Sequence, residues 1–163
     1  MVQVRVAGVA LDGAGQHVIL LKPSDEAEGD DRVLPIWIGA QEATSILIAV
    51  EGAQTPRPLT HDLIRSMLEV LGAVVERVEV TRIDDGTYYA EIRVRAGETV
   101  HLIDARPSDA VAIASRVGAP LFVADDVLAE AGVPGLIVQG DEEEAVEEFQ
   151  RFLEDVDPDD FKE

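Results

Sequence analysis

Residues 99–124, TVHLIDARPSDAVAIASRVGAPLFVA, contain the pattern of a strand, a helix and a second strand in succession. Residues 99–105 are an apolar run typical of a strand, residues 109–118 are apolar on almost every side of a helix, and residues 120–124 form the second strand. A helix with so little polar surface has to be buried. The stretch therefore predicts a single α/β domain in which helices pack on a mixed β-sheet.

The rest of the chain supplies further strands by the same criterion. Alternating side chains predict strands over 2–11, 17–22, 32–39, 75–83 and 87–96. The sequence DDG at 84–86 lies between the last two of these strands. An Asp-Gly pair between alternating strands favours a tight hairpin turn.

Two further helices are predicted between these strands. The first covers 40–52, with Ala43, Leu47 and Val50 on its apolar stripe and a glycine at its end. The second follows residue 58 and is the clearest amphipathic helix of the chain. Its apolar face is formed by Leu63, Ile64, Met67, Leu68 and Leu71. We expect both stripes to face the core.

The chain is strongly acidic, with a formal net charge of −20 over 163 residues. Residues 141–163 carry 12 acidic and 2 basic side chains, so this segment accounts for −10 of the total. Apolar residues at helical spacing predict an acidic helix from about 141 to 156, within a C-terminal extension, 134–163, that follows the main domain, 1–133. Such a tail either keeps the protein soluble or imitates a nucleic-acid backbone and covers a phosphate-binding face.

Composition also bounds where the protein is found and what it binds. The chain has no cysteine, so we expect a soluble protein of the reducing cytoplasm. No apolar run approaches the roughly 18 residues of a membrane span, and the N-terminal residues lack a signal-peptide pattern, so no membrane partner is expected. The acidic charge disfavours nonspecific attraction to nucleic-acid phosphates, because such affinity normally comes from basic side chains.

Two of the predicted helices follow an Arg-Pro pair, in RPLTHDLI at 57–64 and in DARPSDAVAIASR at 104–116. We call these the Arg-Pro entrances. Thr60 and Ser108 are suited to cap the two helices, because their hydroxyls accept backbone N–H groups that have no partner within a helix. An aspartate follows each hydroxyl within two residues, in the first turn, where the helix dipole favours negative charge.

Capping leaves Arg57, His61, Asp104 and Arg106 unexplained. Asp104 ends a strand and Asp109 opens a helix, so the two carboxylates are a candidate seat for Mg²⁺ or Mn²⁺, which prefer oxygen ligands. Arg106 lies between them and is equally placed to neutralise both in a structural network. His61 is either a capping residue at a helix start or a general base, because its ordinary pKa lies near neutrality.

Four ordered motifs resemble the bifunctional nuclease domain family of bacteria and plants. They are LPIWIGAQEA at 34–43, RPLTHDLI at 57–64, YYAEIRV at 88–94 and IDARPSDAVAIASR at 103–116, and the resemblance covers about residues 1–133. It implies a nuclease that hydrolyses both RNA and DNA with little sequence preference. Polar residues at matching motif positions are implied as the site: Glu42, His61, Asp62, Asp104, Arg106, Ser108 and Asp109.

Phosphodiester hydrolysis needs an activated water and a stabilised leaving oxygen, and carboxylate-bound metal ions can provide both, so we expect a metal-assisted mechanism. Asp104 and Asp109 would hold the divalent metal, while Arg57 and Arg106 would contact phosphate. The remaining candidates are catalytic, namely Glu42, His61, Asp62 and Ser108. This mechanism requires the two Arg-Pro entrances to border one crevice, which we therefore predict.

Two other functions fit the same residues. One is a noncatalytic regulatory or interaction protein whose acidic surface meets a basic partner. The other is a binder of small phosphorylated molecules that uses the N-termini of the two helices as anion sites. Independently of function, exposed strand edges and the very apolar helix predict a homodimer or a higher homo-oligomer.

Overall fold

The computed structural model describes residues 1–24 and 31–135, and within them the chain forms eight strands and four helices. The strands are β1 (Val2–Leu11), β2 (His17–Pro23), β3 (Arg32–Ile38), β4 (Ala73–Asp84), β5 (Thr87–Ala96), β6 (Thr99–Ala105), β7 (Leu121–Val123) and β8 (Val133–Pro134). The helices are α1 (Ala40–Glu51), α2 (Thr60–Val70), α3 (Pro107–Val117) and α4 (Asp125–Ala131). None of these helices is long and apolar enough to cross a membrane. The acidic helix predicted over 141–156 lies outside the described residues.

The strands form one sheet in the order β6-β5-β4-β7-β1-β2-β3-β8. Strands β4 and β7 run parallel and the other neighbours run antiparallel, so the sheet is mixed, as predicted. The chain leaves β6 at the edge of the sheet, continues as α3, and returns as β7 in the middle of the sheet. Helix α3 therefore runs from the sheet edge towards its centre.

Helix α3 is the centre of the helical layer, as its apolar sequence predicts. Residues Ala110 to Ala114 are all buried, with at most 4% of their surface exposed. Helices α1 and α2 pack against α3, which in turn packs against β4 and β5. The helix ends at Gly118, whose φ of 70° lies in the left-handed region that favours glycine.

Helix α2 buries less of its apolar face than predicted. Ile64 and Leu68 pack against the core, but Leu63, Met67 and Leu71 are 54%, 55% and 75% exposed. The reason is that α2 lies on α3 at the outside of the helical layer, where one narrow face meets the core. Within the described residues, the apolar face of α2 is therefore only partly covered.

Helix α1 is rotated relative to the prediction. Ala43 is buried as expected, but Leu47 and Val50 are 36% and 50% exposed. Ser45 and Ile46 are buried in their place, at 6% and 0% exposed. The rotation turns a serine towards the interior, where a hydroxyl needs a hydrogen-bond partner.

Candidate active site

The second Arg-Pro entrance begins α3 without a side-chain cap. Arg106 precedes the helix and has an extended backbone, with φ −68° and ψ 143°, because Pro107 disfavours helical geometry at the residue before it. The guanidinium folds onto the first turn and donates to both oxygens of Asp109, from Nε to Oδ2 at 2.7 Å and from Nη2 to Oδ1 at 3.2 Å. Ser108 is the second helical residue, so the prediction that it caps α3 is wrong.

The first Arg-Pro entrance is organised by an aspartate instead of the predicted threonine. Leu59 precedes α2 and Thr60 is already helical, so the prediction that Thr60 caps the helix is also wrong. The Asp62 carboxylate accepts the Leu59 N–H at 2.9 Å and the Nε of Arg116 at 2.8 Å. The Leu59 N–H, and after it Arg116, hold the pKa of Asp62 below its ordinary value despite partial desolvation.

His61 joins the two entrances. Its side chain is buried, and its Nε2 lies 2.9 Å from Oδ1 of Asp109, which is 48 residues away in sequence. Leu59, Thr60 and His61 from one entrance line the same cleft as Arg106 and Asp109 from the other. The prediction that both entrances border one crevice is confirmed.

A buried serine and a buried arginine complete the connection, and the sequence analysis missed both. The Oγ of Ser45 lies 2.7 Å from Nδ1 of His61, and Nη2 of Arg116 donates to the same Oγ at 3.0 Å. Arg116 also donates from Nη1 to the carbonyl of Ala112 at 2.9 Å. A single proton arrangement of the neutral ring satisfies every group: Ser45 donates to Nδ1, and Nε2–H donates to Asp109.

These contacts define what we call the entrance network: Glu42, Ser45, His61, Asp62, Arg106, Asp109 and Arg116. Helical spacing was the signal that could have revealed Ser45. It stands three residues after Glu42, so the two side chains share one side of α1. Arg116 is the last residue of the quoted motif, but it lies in the last turn of α3, ten residues after Arg106, and no local pattern connects it with the helix start.

Asp109 is the most heavily bonded carboxylate of the network. Burial disfavours its charged form, yet the hydrogen bonds from Arg106 and His61 outweigh that effect and hold the pKa of Asp109 below its ordinary value. The same contact with Asp109, aided by Glu42, raises the pKa of Arg106. At neutral pH both groups are therefore charged.

Glu42 faces Arg106 from the first turn of α1. Its Oε1 lies 3.2 Å from Nη1 of Arg106. The other oxygen, Oε2, folds over Gly39, and a Cβ at position 39 would overlap it. Gly39 thus gives the Glu42 carboxylate the space to reach Arg106.

Two hollows meet at Arg106 and Glu42. The central cleft, of about 600 Å³, is lined by Gln41, Glu42, Thr44, Ser45, Pro58, Leu59, Thr60, His61, Arg106 and Asp109. The side cavity, of about 450 Å³, lies on the other side of Glu42 and Arg106 and reaches Tyr88 and Ser108. Because the Arg106 side chain is 66% exposed, its guanidinium is accessible to a ligand despite its two ion pairs.

Asp104 is not brought to Asp109 in the described structure. It lies in β6 opposite Glu91 of β5, while its neighbour Ala105 pairs with the buried Ala90. Side chains alternate along a strand, so Asp104 belongs to the sheet face opposite the helices. Across residues 1–24 and 31–135, no group of three or more His, Cys, Asp or Glu side chains is arranged to hold a metal ion.

Two further predicted residues border the network without joining it. Arg57 is exposed, its carbonyl accepts the hydroxyl of Thr55 at 2.7 Å, and its neighbour Pro58 lines the central cleft. Ser108 is buried and lines the side cavity. Arg57 is therefore a sequence neighbour of the central cleft but not one of its lining residues, and Ser108 lies in the neighbouring hollow.

Fold and site together define a single α/β domain with a mixed sheet and an arginine-carboxylate cleft at a helix start. The chain belongs to the family of the bifunctional nuclease domain, whose model matches residues 19–135. It is 45% identical to an uncharacterized protein of Mycobacterium tuberculosis over 171 aligned residues, which cover 99% of both chains. It is 31% identical to Bifunctional nuclease 1 of Oryza sativa subsp. japonica over 115 residues, 69% of this chain and 34% of the rice protein. Bifunctional nuclease 1 of Arabidopsis thaliana is also 31% identical, with the same coverage.

Proposed function

We propose that the protein is a nuclease that hydrolyses phosphodiester bonds of RNA and DNA in the central cleft. The observation that carries the proposal is Arg106, an exposed guanidinium fixed between Asp109 and Glu42 beside His61. A planar guanidinium fixed in this way is suited to bind nonbridging phosphate oxygens. Family membership and the names of the plant relatives support the same activity.

Within this proposal Arg106, Glu42 and His61 have separate roles. Arg106 binds the scissile phosphate and offsets the charge that develops on its oxygens. Glu42 accepts a proton from the attacking water through Oε2, the oxygen that is not paired with Arg106. His61 holds Asp109, and therefore Arg106, in position, because both ring nitrogens are already engaged.

The charge of the cleft supports a divalent metal in this reaction. Glu42 and Asp109 carry two negative charges against one positive charge on Arg106, so a phosphodiester entering beside them is repelled. Mg²⁺ commonly binds through one or two protein carboxylates together with substrate phosphate and water. We therefore propose that Asp109, together with the substrate phosphate and water, would hold Mg²⁺ or Mn²⁺, which would supply positive charge to the phosphoryl oxygens.

The test compares carboxylate variants of the full chain. We expect wild-type protein to cleave labelled RNA and DNA oligonucleotides, EDTA to abolish cleavage, and added Mg²⁺ or Mn²⁺ to restore it. Asp109→Asn and Glu42→Gln should lose at least about 100-fold in rate. Asp104→Asn is the matched control from the same motif and should keep wild-type activity.

Each result of this comparison is decisive. Full activity in folded Asp109→Asn and Glu42→Gln would contradict the proposed site. Loss of activity in Asp104→Asn with a normal circular dichroism spectrum would support the metal seat of Asp104 and Asp109 instead. Absence of cleavage by highly purified wild type under all conditions would favour the noncatalytic alternatives.

We also propose that the protein forms a homodimer through β6. This edge strand has exposed apolar side chains on both faces, with Val100 37%, Leu102 60% and Ile103 45% exposed. It contains neither lysine nor proline, the residues that commonly protect an edge from pairing. Antiparallel pairing of two β6 strands about Leu102 would place Asp104 opposite Val100, so no like charges oppose each other.

The cytoplasmic location expected from composition stays a prediction.

A further inference from the structure

The side cavity differs in chemistry from the central cleft, although the two share Glu42 and Arg106 as a common wall. Beyond this wall, the central cleft contains the charged Asp109 and the imidazole of His61. The side cavity is instead lined by two aromatic residues, Trp37 and Tyr88, together with Ile36, Ile38, Thr87, Pro107 and Ser108. Apart from Glu42 and Arg106 its lining residues are uncharged, so a flat, neutral group suits it better than a second phosphate does.

Tyr88 gives the side cavity a fixed aromatic wall. The ring is half-buried, packs against the core and donates its hydroxyl to the carbonyl of Pro35 at 3.3 Å. Burial, aided by Glu130, raises the pKa of Tyr88 to about 12. The phenol therefore stays neutral and acts as a surface for contact, not as an acid or base.

The size and position of the cavity complete the argument. A volume of about 450 Å³ lies within the range of roughly 300–1,000 Å³ that is typical of small-ligand sites. A nucleotide consists of a charged phosphate joined to a flat, neutral heteroaromatic base. When the phosphate binds Arg106, the base can enter either hollow, and the hollow with aromatic residues in its lining is the side cavity.

We propose that the side cavity is a nucleobase-binding subsite for the nucleotide whose phosphate contacts Arg106. This inference rests on the proposed function for the phosphate position. It assigns Tyr88 and Thr87 to base contact and gives Ser108 a binding role at the base edge in place of a catalytic one. It also predicts that affinity depends on the presence of a base, although both RNA and DNA are accepted.

The test uses Trp37, the only tryptophan of the chain, which borders the side cavity. Fluorescence of the full-length protein, with Mg²⁺ present, is titrated with nucleoside 5′-monophosphates and, separately, with ribose 5-phosphate. These ligands contain no phosphodiester bond, so the readout does not depend on hydrolysis. We expect a saturable change with the nucleotides and at least about tenfold weaker binding of ribose 5-phosphate.

Matched variants locate the binding. Thr87 is exposed and is the first residue of β5, so Thr87→Phe should narrow the cavity without disturbing the core. It should weaken nucleotide binding at least about tenfold. Thr99 is also exposed and begins β6, and Thr99→Phe should bind as wild type does.

The outcomes separate the subsite from the nuclease activity. Equal affinity for nucleotides and ribose 5-phosphate, or unchanged nucleotide binding in Thr87→Phe, would overturn the subsite. Cleavage of an abasic oligonucleotide as fast as of an intact one would overturn it as well, while the nuclease proposal would stand. Base-dependent binding that Thr87→Phe weakens, in a protein that cleaves no oligonucleotide, would support the subsite and contradict the nuclease proposal.

Discussion

Replacing Arg116 with methionine tests whether the entrance network also holds the fold together. The Arg116 side chain is 3% exposed and donates to Asp62, to Ser45 and to the carbonyl of Ala112. Removing one partner of a fully buried ion pair costs about 3–5 kcal/mol. Because the Asp62 side chain is 22% exposed, water recovers part of that loss, and we expect a destabilisation of about 2–3 kcal/mol. In a domain of this size that lowers Tm by roughly 5–10 °C.

The assay is urea unfolding followed by circular dichroism, at neutral and at acidic pH. The pKa of Asp62 is lowered in the folded state, so its contribution to stability is present above its unfolded pKa of about 3.9 and is lost as pH falls through the folded value. The difference in the free energy of unfolding between wild type and Arg116→Met should therefore be largest at pH 7 and should shrink below about pH 4. The control is Arg95→Met, which removes a solvent-exposed ion pair with Glu76 and should destabilise the protein far less than Arg116→Met does. A loss in Arg116→Met no larger than in the control, or one independent of pH, would refute the reasoning.

Three further changes test separate parts of the molecule. Gly39→Ala should displace the Glu42 carboxylate from Arg106 and lower the cleavage rate towards that of Glu42→Gln. The free energy of unfolding should fall by at most about 1 kcal/mol. An unchanged cleavage rate would show that Glu42 has no part in the mechanism. Leu102→Lys should convert the dimer to a monomer in light scattering, because it places a charge on the exposed edge strand; a dimeric variant or a monomeric wild type would contradict the β6 interface. Removal of residues 141–163 changes the formal charge from −20 to −10 and should raise oligonucleotide affinity most at low salt; equal affinity there would leave the tail as a solubility segment.

The sequence predicts the strands and α3 well because their signals are local. The turn after β4 is an example: Asp85 and Gly86 have φ of 48° and 73°, the positive values that an Asp-Gly hairpin turn requires. Helix α3 is also predicted well, because a helix that is apolar on almost every side is stable only when it is buried. Such features depend on neighbours within a few residues, and the sequence contains those neighbours.

Features that depend on tertiary packing were predicted less well. Helix α1 is apolar at Ile46, Leu47, Ile48 and Val50, so several rotations about its axis bury a similar apolar area. Packing against α3 selects the rotation that buries Ser45, and no local pattern shows this choice.

The candidate site was predicted in part. Repetition of the Arg-Pro pair correctly indicated that two distant segments meet. It did not show that Arg106 pairs with Glu42 and Asp109 while Asp104 lies on the other face of the sheet. The position of Asp104 depends on the direction of the side chains at the end of β6. A shift of one residue along the strand would move Asp104 to the other face of the sheet.

We propose that Arg106 binds the phosphodiester that is cleaved in the central cleft, and its substitution tests this proposal. The most direct measurement is the single-turnover rate of cleavage of a labelled oligonucleotide by wild type, Arg106→Gln and Arg93→Gln. Arg93 is the matched control, since it is also an exposed arginine paired with a carboxylate, Glu76, but on the sheet. We predict a loss of at least about 100-fold in folded Arg106→Gln and a rate within about twofold of wild type in Arg93→Gln. Equal rates in wild type and Arg106→Gln would contradict the account.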